Sequence, residues 1–260
     1  MTNALMLTAA AGVATVTLSR PQAHNALDEG LIGELARAFQ KLTADETVRV
    51  VVLTGTGKSF CAGADLGWMQ RSGALPQADN QRDAMALAMM LDSIDRCPKP
   101  VVAVVNGPAY GGGVGLVAAA DIAIASEEAA FSLTEVKLGI IPAVIGPYMV
   151  AAMGSRACRR YMLSAERFDA REAYRLGLVH AVVAADKLEH AQTLMVEQLL
   201  KGGPKAQSAV MDLLTVVDDS PMGPDLMRYT SNRIAELRAS EEGQEGLAAF
   251  FEKRRPKWCE

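Results

Sequence analysis

The chain has only 4 cysteines and 3 histidines among 260 residues, no excess of positive charge, and no uncharged apolar run approaching the roughly 18 residues of a membrane span. Cys61, Cys97, Cys158 and Cys259 lie far apart, with no Cys-x-x-Cys pair and no histidine at zinc-ligand spacing. No metal site is therefore expected, and reduced, buried thiols are. His24, His180 and His190 sit in no recognisable nucleophile setting, and no Gly-x-Ser-x-Gly elbow occurs, so a serine or cysteine hydrolase is unsupported. A formal charge of −4 argues against a polyanionic main partner, because nucleic-acid binding concentrates basic residues on one face. The opening residues, MTNALMLTAAAG, carry no basic segment ahead of their apolar ones. A soluble cytoplasmic protein without signal or membrane span is expected.

What the chain does have is apolar content: hydrophobic residues make up 50%, enough for a sizeable core. Short β-branched runs at 13–18, 49–53, 101–105 and 122–125 alternate with longer amphipathic segments at 28–42, 80–96 and 114–120. The runs VVVL and VVAVV are apolar throughout, as in strands covered on both faces. From about residue 142 almost everything reads as helix, punctuated at Gly154, Gly177 and Gly202-Gly203-Pro204. The expectation is an α/β core over residues 1–200 and a small helical domain over 201–260.

Two glycine motifs fail as nucleotide signatures. VVLTGTGKSF lacks a phosphate-loop glycine five positions before Gly57, where Val52 stands, and Gly111-Gly112-Gly113-Val114-Gly115 does not follow the dinucleotide spacing. The glycine run still lets the backbone approach something closely, with free N–H groups opening a helix. An anion or oxyanion site is one reading, a tight turn or close helix packing the other. Small residues at Cys61-Ala62-Gly63-Ala64 leave amides uncovered in the same way, although an ordinary strand-to-helix turn looks alike.

Glu135 lies between the apolar stretches around Leu133 and Ile140, where desolvation raises a carboxyl toward the range useful for proton transfer. Ser132 and Glu135 also match a capping box, which would make the glutamate a helix-start device. The basic stretch ending the chain, from Lys253 to Lys257, reads as a solvated tail or as a contact for ligand phosphates.

In order along the chain, SRPQAHNAL, SFCAGADL, NGPAYGGGVGL, DIAIAS, FSLTEVKLGIIP, AYRLGLVH and AFFEKR resemble the enoyl-CoA hydratase/isomerase (crotonase) superfamily. GADLGWM, GGGVGLVAAADIAIA and TEVKLGIIPAVIGPY are most similar to bacterial 3-methylglutaconyl-CoA hydratases. The resemblance implies a crotonase-like spiral of ββα units with a C-terminal helical trimerisation domain, assembling as trimers or hexamers. It implies an acyl-CoA substrate carried as a thioester and no cofactor. By position, the amides of Ala64 and Gly112 would form an oxyanion hole. Ala23, His24, Ala62, Asp65 and Leu66 would line the adenine and pantetheine path, and Phe250 and Lys253 would reach a neighbouring subunit's CoA.

Glu135 falls on one of the two glutamates that hydratases of this family use, and the other position is Gly115. One glutamate suffices for Δ3,Δ2-enoyl-CoA isomerisation, so residue count favours an isomerase while the similarity to the glutaconyl branch favours hydration in leucine breakdown. A catalytically silent acyl-CoA-binding paralogue is the third possibility. A glutaconyl ester carries a distal carboxylate, for which Arg71, Arg82 and Lys137 are the available cations.

Overall fold

A computed structural model describes residues 4–259. The chain opens with a hairpin, β1 (Leu5–Ala10) and β2 (Val13–Leu18), turning through Ala11 and Gly12, both in the left-handed region that such tight turns demand. There follow α1 (Glu29–Ala44), β3 (Val50–Gly55), α2 (Leu66–Gly73), α3 (Gln77–Asp95), β4 (Val101–Val105), β5 (Ala109–Tyr110) and α4 (Gly112–Ala118). The second half holds β6 (Ile122–Ser126), β7 (Ala130–Ser132), α5 (Gly146–Ser164), β8 (Phe168–Asp169), α6 (Ala170–Leu176), β9 (Ala181–Val183) and α7 (Leu188–Lys201). Three more helices end it: α8 (Pro204–Asp219), α9 (Pro224–Ala239) and α10 (Glu241–Glu252).

Strands β1-β2-β3-β4-β6-β9 form one sheet, parallel except for the opening hairpin, and β5-β7-β8 form a smaller one. Two successive turns of the chain lay a strand in the large sheet, then one in the small sheet, then a helix: β4–β5–α4 and β6–β7–α5. This is the expected α/β arrangement of ββα units.

The apolar runs are buried on both faces, for a visible reason. Val51, Leu53, Val101, Ala103 and Val105 join the main core with Leu31, Leu35, Phe39 and Met90. Val50, Val52, Val102 and Val104 point the other way, onto Leu188 and Val196 of α7.

The reading of almost everything after residue 142 as helix holds apart from the short strands β8 and β9, of which β9 pairs in parallel with β6 as the sheet's last strand. Gly177 ends α6 in the left-handed conformation, and Gly154, with φ 75 and ψ 154, breaks α5 into two helical stretches that meet at a kink. From Pro204 onward only helices and a short terminal turn remain. Cys61, Cys97 and Cys158 are buried and Cys259 is half-buried, all as free thiols.

Candidate active site

Two backbone segments meet at the ends of β3 and β4. Cys61 bridges to Ala109 in parallel fashion, the Tyr110 amide donates to the Cys61 carbonyl at 2.9 Å, and the Cys61 amide donates to Pro108 at 3.3 Å. A side chain on Gly63 would strike the Tyr110 carbonyl at 2.7 Å, and one on Gly113 the Cys61 carbonyl at 2.2 Å. These glycines let the two segments lie in contact.

The second segment's glycines divide the labour. Gly111 turns the chain with φ 47, and its amide donates to the Ser132 carbonyl at 2.9 Å. Gly112 then opens α4 with an N–H that has no hydrogen-bond partner among the described residues.

The first segment leaves a second free amide by a similar route. Leu27 forms a parallel bridge with Ala64: the Leu27 amide donates to the Gly63 carbonyl at 2.7 Å and the Asp65 amide to the Leu27 carbonyl at 2.8 Å. The Ala62 amide donates to His24 at 2.9 Å. Ala64 is thus flanked by satisfied groups while its own N–H has no partner among the described residues. Gly113 thus serves close packing, while Gly112 carries an amide with no partner among the described residues.

Glu135 stands over Gly111, where an added Cβ would lie 3.1 Å from its Oε1. Its Oε2 is buried without a hydrogen-bond partner. Burial pushes the carboxyl above its ordinary range of 4.5, opposed by a bond from the residue's own backbone amide. The capping-box alternative is corrected here. Ser132 ends β7 and its hydroxyl donates to the Ala165 carbonyl at 3.2 Å, and Glu135 starts a 3-10 turn that has no side-chain cap.

Gly115 lies one turn along α4 from Gly111, and its amide donates to the Gly111 carbonyl at 3.3 Å. A side chain there would meet Ile145 Cγ2 at 2.3 Å, so the wall beyond Glu135 is apolar. The buried Cys61 thiol, pushed up to about 12 by desolvation, is no nucleophile.

A carboxyl whose pKa is raised by burial, with one oxygen unpartnered, beside a segment carrying a free backbone amide and packed on another that carries a second, can move a proton while the amides hold an oxyanion. The enoyl-CoA hydratase/isomerase family model matches residues 8–260. This chain belongs to that family.

A solved enoyl-CoA hydratase of Shewanella pealeana superposes with a TM-score of 0.96 at 45% identity, over 98% of this chain and 96% of that one. Enoyl-CoA hydratase ACTT6 of Alternaria alternata is 38% identical over 79% of this chain and 67% of its own length. A carnitinyl-CoA dehydratase of Proteus mirabilis is 34% identical over 99% of both. The crotonase-like fold and an acyl-CoA substrate follow from this membership.

The other residues expected at the site in this family member divide into two groups. Ala62, Asp65 and Leu66 line the Ala64 segment, with Leu66 80% exposed, and His24 is exposed next to it with Nδ1 3.0 Å from Ser59 Oγ. Ala23 closes the short turn Pro21–Ala23. Asp65 is engaged within the chain, accepting from the Gly67 and Trp68 amides and from Arg20. Phe250 and Lys253 lie instead at the exposed end of α10, which packs on α8 and α9.

None of the three cations suggested for a distal carboxylate stands free. Arg71 holds Glu29 through both oxygens, Arg82 pairs with Asp79, and Lys137 donates to the Ala165 carbonyl at 2.8 Å. A groove of about 940 Å³ lies at the opposite ends of the strands, and Asp95, Asp121 and Asp212 among its lining suit it poorly to a phosphate-bearing ligand. Leu27, Ile145 and Arg20 are the site-building residues that sequence reasoning missed, since each acts through a contact distant in sequence.

Proposed function

We propose that this chain hydrates a branched 2-enoyl-CoA, with Glu135 as the proton carrier and the Ala64 and Gly112 amides as the oxyanion hole. The observation that carries this reading is the pair of unpartnered amides beside one isolated, partly buried carboxyl. Both amides donate to the thioester oxygen, on which charge grows as the enolate forms. Removing one such donor costs roughly 3 kcal/mol of transition-state stabilisation.

Glu135 takes a proton from water as the water oxygen bonds to the β-carbon, and that proton is then returned through a relay to the α-carbon of the enolate, which regenerates the carboxylate. The C=C π bond and one O–H bond of water are exchanged for one C–O and one C–H bond, without change in overall oxidation state. The thioester itself acidifies the α-carbon, so the reaction needs no metal or redox cofactor. Ala23, His24, Ala62, Asp65 and Leu66 would flank the CoA.

The finer substrate, 3-methylglutaconyl-CoA, rests on the motif resemblance alone. Exposed Leu214, Phe250 and Phe251 on α8 and α10, at 56, 76 and 75%, support association between copies of the chain, and the family resemblance is what suggests a trimer or hexamer and a cytoplasmic location.

A specific observation favours a second reading. Ile145 closes the space at Gly115, so one carboxylate works alone, which is sufficient for Δ3,Δ2-isomerisation. Turnover of 3-methylglutaconyl-CoA, crotonyl-CoA and a 3-enoyl-CoA, followed by conjugated-thioester absorbance with product identification, separates the two. Hydration of the first two supports the proposal. Absorbance gained only from the 3-enoyl ester would make the chain an isomerase.

A further inference from the structure

The motif SRPQAHNAL contributes Arg20, whose side chain is only 23% exposed. Its Nη1 donates to the Ala26 carbonyl at 2.7 Å and pairs with Asp28 Oδ2 at 2.7 Å, while Nη2 reaches Asp65 Oδ2 at 3.2 Å. Each aspartate is at the same time a helix N-cap. Asp28 accepts from the Leu31 amide at 2.8 Å to start α1, and Asp65 accepts from Gly67 at 2.9 Å and Trp68 at 3.2 Å to start α2.

The residues between these anchors are the ones that present the free amide. Ala26 and Asp28 flank Leu27, and Asp65 follows Ala64, so a single guanidinium clamps both sides of the Leu27–Ala64 bridge. Asn25 completes the frame from behind: it is fully buried, accepts from the Arg20 amide at 2.8 Å, and donates to the Thr56 and Ser59 carbonyls at 2.9 and 2.8 Å. Apart from this clamp, the two segments are joined by the two bonds of the Leu27–Ala64 bridge and the Ala62–His24 bond, with no regular sheet to fix their register.

We infer that Arg20 is a positioning residue for the reaction, one that fixes the direction of the Ala64 N–H by cross-linking the caps of α1 and α2. The inference deepens the proposed function and rests on Ala64 being an oxyanion donor. A planar fork with donors on two nitrogens can hold two carboxylates and a carbonyl together. A lysine places one charge at one point and cannot span the three acceptors in the same geometry. Charge at position 20 is therefore not enough, and shape is needed.

The test compares wild type with Arg20→Lys and Arg20→Gln. The readouts are kcat, KM, melting temperature and the absorbance of bound dimethylaminocinnamoyl-CoA, a push–pull chromophore that shifts to the red as its carbonyl is polarised. Misdirecting one donor is expected to lower kcat about 10- to 100-fold with little change in KM, and to reduce the red shift, in Arg20→Lys as well as Arg20→Gln. Retention of the full red shift and kcat by folded Arg20→Lys would overturn the proposal, as would a loss of activity that only tracks the unfolded fraction. Failure of wild type to shift the chromophore at all would instead overturn the oxyanion assignment of Ala64, and the role of Arg20 with it.

Discussion

Ile145 fills the space into which a side chain at Gly115 would grow: a Cβ there would lie 2.3 Å from Ile145 Cγ2 and 3.0 Å from its Cβ. Ile145 is 2% exposed, directly precedes α5, and shares its core with Leu91 of α3. The missing second carboxylate is therefore not a vacancy but a packed apolar wall.

The interlock predicts non-additive stabilities. Gly115→Ala alone should cost about 1–3 kcal/mol by overpacking, and Ile145→Ala about 2–5 kcal/mol by opening a cavity. The double variant should be more stable than Ile145→Ala, because the new methyl occupies part of that cavity. Urea unfolding of the four proteins measures the coupling, and simple additivity would contradict the interlock.

Replacement of Glu135 by Gln should lower turnover by about 10²- to 10⁴-fold while leaving CoA-ester affinity near wild type. Stability should move the other way. Burial raises this carboxyl in the folded state, so the folded protein holds the proton more tightly than the unfolded chain does. The wild-type contribution to stability therefore falls as pH rises from the unfolded value through the raised folded value, and the neutral glutamine escapes that loss. Melting temperatures should show Glu135→Gln above wild type at neutral pH and level with it in acid. The acid limb of kcat/KM should likewise sit above the ordinary glutamate range.

How much of this was readable beforehand depended on sequence distance. VVVL and VVAVV announced buried strands because every residue of each is apolar. β8 and β9, with 2 and 3 residues, are too short to leave a periodic pattern and exist only because β7 and β6 offer them edges. Glu135 was visible as a carboxylate among apolar neighbours, and its separation from the capping-box alternative needed the Ser132–Ala165 bond. Arg20 and Asp65 are 45 positions apart, and no local propensity reports on such a pair.

Arg49, directly before β3, helps to hold the segment around Trp258. Arg49 donates to the Trp258 and Gly202 carbonyls, both at 2.6 Å, and the Trp258 indole donates to Lys201 at 3.0 Å. Arg49→Met keeps the aliphatic packing and removes both bonds, so it should cost about 2–3 kcal/mol. Limited proteolysis should then cut near residues 253–259 before the rest of the chain unfolds. Equal protease resistance would show that α10 carries the terminus unaided.

Lys137 discriminates between a substrate contact and a scaffold contact two residues from Glu135. Its ammonium donates to Ala165, the left-handed residue that ends α5, where a cation also answers the helix's negative end. Ser132 donates to the same carbonyl, so β7, the Glu135 turn and α5 converge on one acceptor. Lys137→Met should therefore lower stability by about 1 kcal/mol and reduce kcat for every ester in the same proportion. A distal-carboxylate contact would act differently, raising KM for 3-methylglutaconyl-CoA while sparing crotonyl-CoA. The ratio of kcat/KM for the two esters, wild type against Lys137→Met, decides the matter: a constant ratio keeps Lys137 in the scaffold, and a selective loss on the glutaconyl ester would place its ammonium on the substrate.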